Sequence, residues 1–487
     1  MKPEDFDEDF NFNKKRTSDV LFILKVIGIM LIVFVIFSFS LFIKKLAGSD
    51  SEIEEKGKKY GKSWFVKYQS KISVPIPSGG RYFLENVDID SFRALDSQDR
   101  STLMVGMDKN YVYCGNISLP ELNPNKLEVI GNGYYTDGTN TYFCSPNPER
   151  NEKLPDIMEF LQSLVYSYSK TKRPQSYIYP YTKIENEKKL QAVKDLYLAA
   201  TDGEKVYYKG KLLENADLKT LKSVDKYTEY FADKENVYYK SKLLPIKNNG
   251  RLKVVSLQQG DEFLYDEANG YVFKEDYFFD REKSPYKVLG NKGNHMYDMI
   301  FVNNEGIYYY DNEEKKFKRA GDNIFIGNPE EVSPNIFTDD ENIYYFHSCE
   351  VRKRYRNTSR NTEIYYLDKK VNWKKVADVE DGIYGSVWQK GNKYYYFDNL
   401  GISQSIKDTI YEIADKETLG YLLNNSGNMN KIKEFVENGR LIQIAGEKKV
   451  KIAVEDNKTP ENEKRWFLIA LVIVFVVVVI LRVKENQ

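Results

Sequence analysis

The sequence predicts a mainly β protein of antiparallel β-hairpin repeats, solenoid- or propeller-like, with one inserted helix and a transmembrane helix at each end. Three observations predict it. A polar turn followed by a β-branched residue and aromatics recurs through the middle of the chain. Tyrosine is unusually frequent, at 39 of 487 residues, and strands favour aromatic and β-branched side chains. Two long apolar runs flank this polar, charge-balanced interior near the two ends.

Taken from the N-terminus, residues 1–19 form a polar tail and residues 20–46 the first expected span. Its uncharged core, from Val26 to Ile43, is 18 residues long. As a helix it would cover ~27 Å at ~1.5 Å per residue, against a bilayer core of about 30 Å. Lys25 and Lys44 can snorkel at its edges. No small-x-small cleavage site follows, so an uncleaved anchor fits better than a signal peptide. Residues 47–72 are charged and read as a tether.

Residues 73–250 carry the clearest repetition, and internal repeats at a fixed period are the signature of stacked architectures. Asp108-Lys-Asn-Tyr-Val-Tyr113 aligns with Asp137-Gly-Thr-Asn-Thr-Tyr142, Asp202-Gly-Glu-Lys-Val-Tyr207 and Asp233-Lys-Glu-Asn-Val-Tyr238. Weaker copies place Tyr308 after Asn303 and Tyr344 after Asp339. A second element is interleaved: Leu84-Glu-Asn-Val-Asp88 returns as Leu213-Glu-Asn-Ala-Asp217. Asp, Asn and Gly favour the turn, and the residues after it favour a strand. Each unit of roughly 30 residues would be a hairpin plus a connector, burying its face against a neighbour. The pattern resembles the DKNYY family, a bacterial repeat family named after this motif, clearest over about residues 80–245. The resemblance implies a β-repeat fold and brings no catalytic residues with it.

Inside this region a helical insertion is expected at about 156–170, where Pro155 precedes a stripe of Ile157, Phe160, Leu161, Leu164 and Val165. That stripe is expected to pack on the sheet. Residues 251–454 read as a second tyrosine-rich, antiparallel β domain, propeller-like in its strand density. Residues 455–465 read as a second tether, and residues 466–483 as a second span. The apolar run from Trp466 to Leu481 holds 14 Leu, Ile, Val or Phe residues. Its insertion is worth about −4 to −8 kcal/mol on the translocon scale.

Alternation along a strand gives the tyrosines a candidate role. In six copies the fourth residue after the turn Asp or Asn is Val, Thr or Ile, and the fifth is tyrosine. If the first set faces the core, Tyr113, Tyr142, Tyr207, Tyr238, Tyr308 and Tyr344 face the other way. Such a row would be a ligand-contact stripe for sugar rings or an extended peptide. The alternative is that both faces are covered and the rings are packing.

Other chemistry finds little footing. Two histidines, His295 and His347, do not make a zinc site even with Cys349 close by in sequence. The Ser-x-x-Lys sequences at Ser167 and Ser284 lack their partner motifs. Asp339-Asp340-Glu341 does not match a calcium loop. No cofactor and no metal are expected. Cys114 and Cys144 would face opposite ways in equivalent strands, so their pairing calls for a register shift. Net charge is zero, with 72 basic and 72 acidic residues, which argues against nucleic acid as a partner.

The function expected is that of a non-catalytic binding or scaffold module at the cell envelope. Its partners would be the lipid bilayer, through both spans, and an envelope glycan or protein. The alternatives are a carboxylate-dependent glycan hydrolase on the same architecture and a membrane-tethered sensor. Two spans make the chain a two-pass membrane protein, with the large domain expected on the extracytoplasmic side. The basic flanks argue the opposite, since six lysines follow the first span against four Lys/Arg before it. Long loops, however, cross largely regardless of charge.

Overall fold

A computed structural model describes residues 52–456 apart from 78–79, 96–98, 170–172, 227, 258–260, 291–297, 353–357, 400–408 and 425–427. Both apolar segments, 20–46 and 466–481, lie outside the described residues. Among the described residues, no helix is long and apolar enough to cross a membrane.

The fold is built from antiparallel sheets of consecutive short strands, as the alternation of turns and aromatic segments requires. The chain divides into two compact units that meet at Glu214 and Asn215. In the first unit, a helical turn over 52–56 leads into a sheet of Lys58–Lys59, Val66–Tyr68, Lys71–Ile76 and Gly80–Phe83. Part of the stretch read as a tether is thus built into this sheet. Three further four-stranded sheets follow, with the motif strands Val112–Cys114, Thr141–Cys144 and Val206–Tyr208 each third in its meander. In the third sheet the last strand, Tyr181–Ile184, comes after an insertion that carries the helix Asp156–Ser169 and a two-stranded ribbon.

The second unit repeats the plan with sheets beginning at Lys222, Leu252 and Lys287, then two five-stranded sheets. One of these pairs the long strands Asn342–Arg352 and Thr358–Lys369 with Glu447–Asp456, which returns to it late in the sequence. The other spans Trp373–Asp378 to Leu441–Ile444 and carries two helices, Lys416–Leu423 and Met429–Glu437, that sequence reading missed. Each begins at a recognisable cap: Asp415 accepts from the Thr418 N–H and Asn428 from the Lys431 N–H. Leu422, Ile432 and Phe435 are buried against Val387, Tyr396 and Tyr411 of that sheet.

Within each unit neighbouring sheets pack face to face. In the first unit, the Tyr134 hydroxyl of the third sheet donates to the carbonyls of Leu198 and Tyr207 in the fourth and accepts from the Gly210 N–H. In the second, Phe263 and Phe301 of successive sheets meet edge-on at 5.1 Å. A sheet covered on both sides has no solvent face, and this single fact corrects two readings of the sequence.

Candidate functional site: the aspartate–tyrosine turns

The recurring motif is a hydrogen-bonded lock between the second and third strands of a sheet. Asp108 is nearly fully buried, and its Oδ1 accepts from the Asn110 and Tyr111 N–H groups, both at 2.7 Å. Its Oδ2 reaches two more distant groups, the Asp88 N–H at 2.7 Å and the Tyr113 hydroxyl at 2.9 Å. One carboxylate therefore closes its turn, fixes the loop that carries the second sequence element, and satisfies the buried end of a tyrosine. The arrangement recurs at Asp233, which accepts from Glu235, Asn236, Asp217 and the Tyr238 hydroxyl. It recurs again at Asp339, which accepts from Glu341, Asn342, Ile326 and the Tyr344 hydroxyl.

The two interleaved sequence elements are thus halves of one lock. Asp88 caps Ser91, whose hydroxyl accepts from the Lys109 N–H; Asp217 pairs in the same way with Thr220, whose hydroxyl accepts from the Lys234 N–H. The left-handed backbone at Asn86 (φ 55°) and Asn215 (φ 59°) explains why asparagine recurs there, since its short polar side chain tolerates that region.

The variants are instructive. At Asp137 the carboxylate holds Thr139, Asn140 and Asn123 N–H groups, while the Tyr142 hydroxyl donates to the Pro120 carbonyl at 2.6 Å. Asp202 closes its turn with Glu204 and Lys205 N–H groups, and Tyr207 is buried beside it with no hydrogen bond to Asp202 among the described residues. Asn303 replaces aspartate and reverses one arm: its amide nitrogen donates to the Lys283 carbonyl at 2.7 Å instead of accepting from an N–H.

Electrostatics follow from this geometry. Burial pushes the Asp108 carboxyl upward, but the N–H donors of Asp88, Tyr111 and Asn110 outweigh it and hold the group below its usual range. Asp233 and Asp339 are shifted down for the same reason. Burial and the neighbouring carboxylate both push the Tyr113 and Tyr344 hydroxyls up. The carboxylates stay ionised and the phenols stay protonated, a fixed donor–acceptor pairing.

The six motif tyrosines are therefore not the exposed contact row that strand alternation predicts. Tyr113, Tyr142, Tyr207, Tyr238, Tyr308 and Tyr344 are all buried, none more than 5% exposed. The alternation itself is correct, but the second face is covered as well instead of open to solvent. The same stacking corrects the cysteine argument. Cys114 lies on the Val112 side of its strand and Cys144 on the Tyr142 side of the next sheet's equivalent strand. Opposite faces of successive stacked sheets confront each other, so the two form a disulfide with a Cα–Cα distance of 5.9 Å and need no register shift.

The remaining candidates resolve individually. Asp339 of the acidic Asp339-Asp340-Glu341 group is consumed by its turn, and among the described residues no cluster of His, Cys, Asp and Glu could hold a metal ion. His295 lies outside the described residues. His347 lies 4.0 Å from Glu363, a buried carboxylate that also accepts from Lys448 at 2.8 Å and the Tyr365 hydroxyl at 2.5 Å. Despite burial, Lys448 and Tyr365 hold Glu363 low, while burial and Glu363 push Tyr365 up to about 12. Both move away from the near-neutral range that proton transfer favours. Asp298 moves the other way, pushed up to about 6 by burial, with the Thr362 hydroxyl donating to it at 2.6 Å. No signal in the sequence marks Asp298, because its partner stands far along the chain.

No curated protein and no solved structure matches the chain. Residues 65–242, which carry the first two complete aspartate–tyrosine locks, match the model of the DKNYY family, and that segment of the chain is DKNYY-family sequence.

Proposed function

We propose that this chain is a two-pass membrane protein whose stacked sheets form a non-catalytic scaffold or binding module on the extracytoplasmic side of the cell envelope. The observation that carries the reading is the use made of the motif: the aspartates and tyrosines repeated most faithfully bond to one another and to backbone. A motif retained for binding or catalysis would leave its polar groups turned toward a ligand. Contacts with an envelope glycan or protein would then run through rings outside the motif strands, such as Tyr111, Tyr181 and Tyr197, which are 39–54% exposed.

The apolar segments at 20–46 and 466–481 supply the membrane attachment. The Cys114–Cys144 bond supports the extracytoplasmic side, because structural disulfides persist in oxidising compartments. The test is protease treatment of intact cells expressing the full chain. Cleavage within 52–456 without lysis is expected; protection until lysis would refute the assignment of side.

A further inference from the structure

The inserted helix Asp156–Ser169 presents an apolar face outward. Ile157 is 38% exposed, Met158 45% and Val165 60%, and Leu161 is half-buried. With about 3.6 residues per turn, these four fall within an arc of roughly 100°. Tyr166, buried, and Glu159, paired with Arg150, lie on the opposite side of the helix and fasten it to the domain. Of the stripe expected to pack on the sheet, Ile157 and Val165 face outward, whereas Phe160 and Leu161 are half-buried. Apolar side chains gathered on one exposed helix face form a patch of the kind that marks a contact surface.

The surroundings of the helix point to which one. Five residues, 47–51, separate the first apolar segment from the helical turn at 52–56, a reach of at most ~18 Å. That turn is tied to the insertion through a short relay. Glu54 pairs with Arg81, whose carbonyl accepts from Arg173, whose guanidinium lies 5.9 Å from the Tyr166 ring of the helix. The first sheet, where the chain would leave the bilayer, thus also holds the insertion. It presents exposed Lys58, Lys59 and Lys62 with Trp64, beside a Lys56 that is paired with Glu52; these three lysines and the tryptophan suit anionic headgroups.

We infer that the Asp156–Ser169 helix lies in the interface of the bilayer that the first span enters, its Ile157–Met158–Leu161–Val165 face inserted among the lipids and the neighbouring lysines on anionic headgroups. This rests on the membrane reading above. It would hold the first unit in a fixed orientation on the membrane instead of leaving it on a free tether.

The test uses the full chain in vesicles of phosphatidylcholine and phosphatidylglycerol with brominated acyl chains. A bimane reporter is placed at Met158→Cys, or at Val474→Cys inside the second apolar segment, in a Cys349→Ser background. Loss of most of the fluorescence at both positions is expected. Quenching at 474 without quenching at 158 overturns the helix inference and leaves the anchors standing; quenching at neither overturns the membrane reading too. Adding Ile157→Glu and Val165→Glu to the Met158→Cys chain changes only exposed positions and should restore its fluorescence. Quenching that survives the two glutamates would show that the apolar face is not what inserts, and would overturn the inference.

Discussion

Replacing Asp108 by alanine tests the lock at its centre. The carboxylate accepts four hydrogen bonds, three from backbone and one from a buried phenol. Hydrogen bonds to charged groups contribute about 1.5–3 kcal/mol each, though not additively. The Asn110 and Tyr111 amides lie in an exposed turn and can recover water. The Tyr113 hydroxyl is buried and cannot do so readily. The loss should therefore be about 3–4 kcal/mol, set mainly by the Asp88 and Tyr113 arms. It should also be local, because Asp88 belongs to a loop 20 residues upstream. Hydrogen exchange read by mass spectrometry on the full chain in detergent should show peptides over both 86–92 and 108–114 exchanging ~100–1000-fold faster. Tyr113→Phe, which leaves the three backbone donors in place, should cost about 1–2 kcal/mol. Unchanged protection over 86–92 in Asp108→Ala would refute the claim that one carboxylate joins the two sequence elements.

Further outcomes follow from the same contacts. Tyr344→Phe should lower thermal stability by about 1–2 kcal/mol, whereas Tyr207→Phe, which breaks no bond to Asp202, should stay within about 0.5 kcal/mol. The lowered carboxyls of Asp108, Asp233 and Asp339 contribute stability that is present above the ordinary aspartate value of 3.8 and is lost as pH falls through their folded values, so an acid titration should unfold the sheets below that point. Asp298 has the opposite sign: its folded value is raised to about 6, so its contribution falls as pH rises from 3.8 toward 6, and Asp298→Asn should stabilise the chain at pH 7 by on the order of 2–3 kcal/mol but not at pH 4. Reducing Cys114–Cys144, which closes a loop with a separation of 30 residues, should cost about 3–4 kcal/mol by chain entropy and lower the melting temperature in reducing buffer.

Much of this architecture is legible in the sequence because its signals are local. The Asp-to-tyrosine spacing of five marks a turn and the start of a strand, and the antiparallel, tyrosine-rich region expected over 251–454 is present, with aromatic strands such as Gly306–Asp311 and Lys393–Asp398. The inserted helix is legible from its apolar period. What that period does not convey is direction: it gives the helix a face, not a neighbour, and Val165 proves exposed. Strand alternation has the same weakness. It separates Val112 from Tyr113 correctly, but whether the second face meets water depends on the stacking of sheets, which is a non-local property. The two helices at Lys416–Leu423 and Met429–Glu437 are short, but each carries a local signal that a reading for strands passes over: the Asp415 and Asn428 caps, followed by Leu419 and Leu422 in the first and by Met429, Ile432, Phe435 and Val436 in the second. Asp298 and Thr362 stand 64 residues apart and share no motif, so only the folded chain brings them together.

The most direct measurement of what the motif is for is tyrosine nitration of the native full chain, mapped by mass spectrometry. If the motif builds the fold, Tyr111, Tyr181, Tyr197 and Tyr277 should react, while Tyr113, Tyr142, Tyr207, Tyr238, Tyr308 and Tyr344 stay protected until the chain unfolds. Nitration of those six in the folded protein, at rates matching the exposed rings, would contradict it and restore the contact stripe.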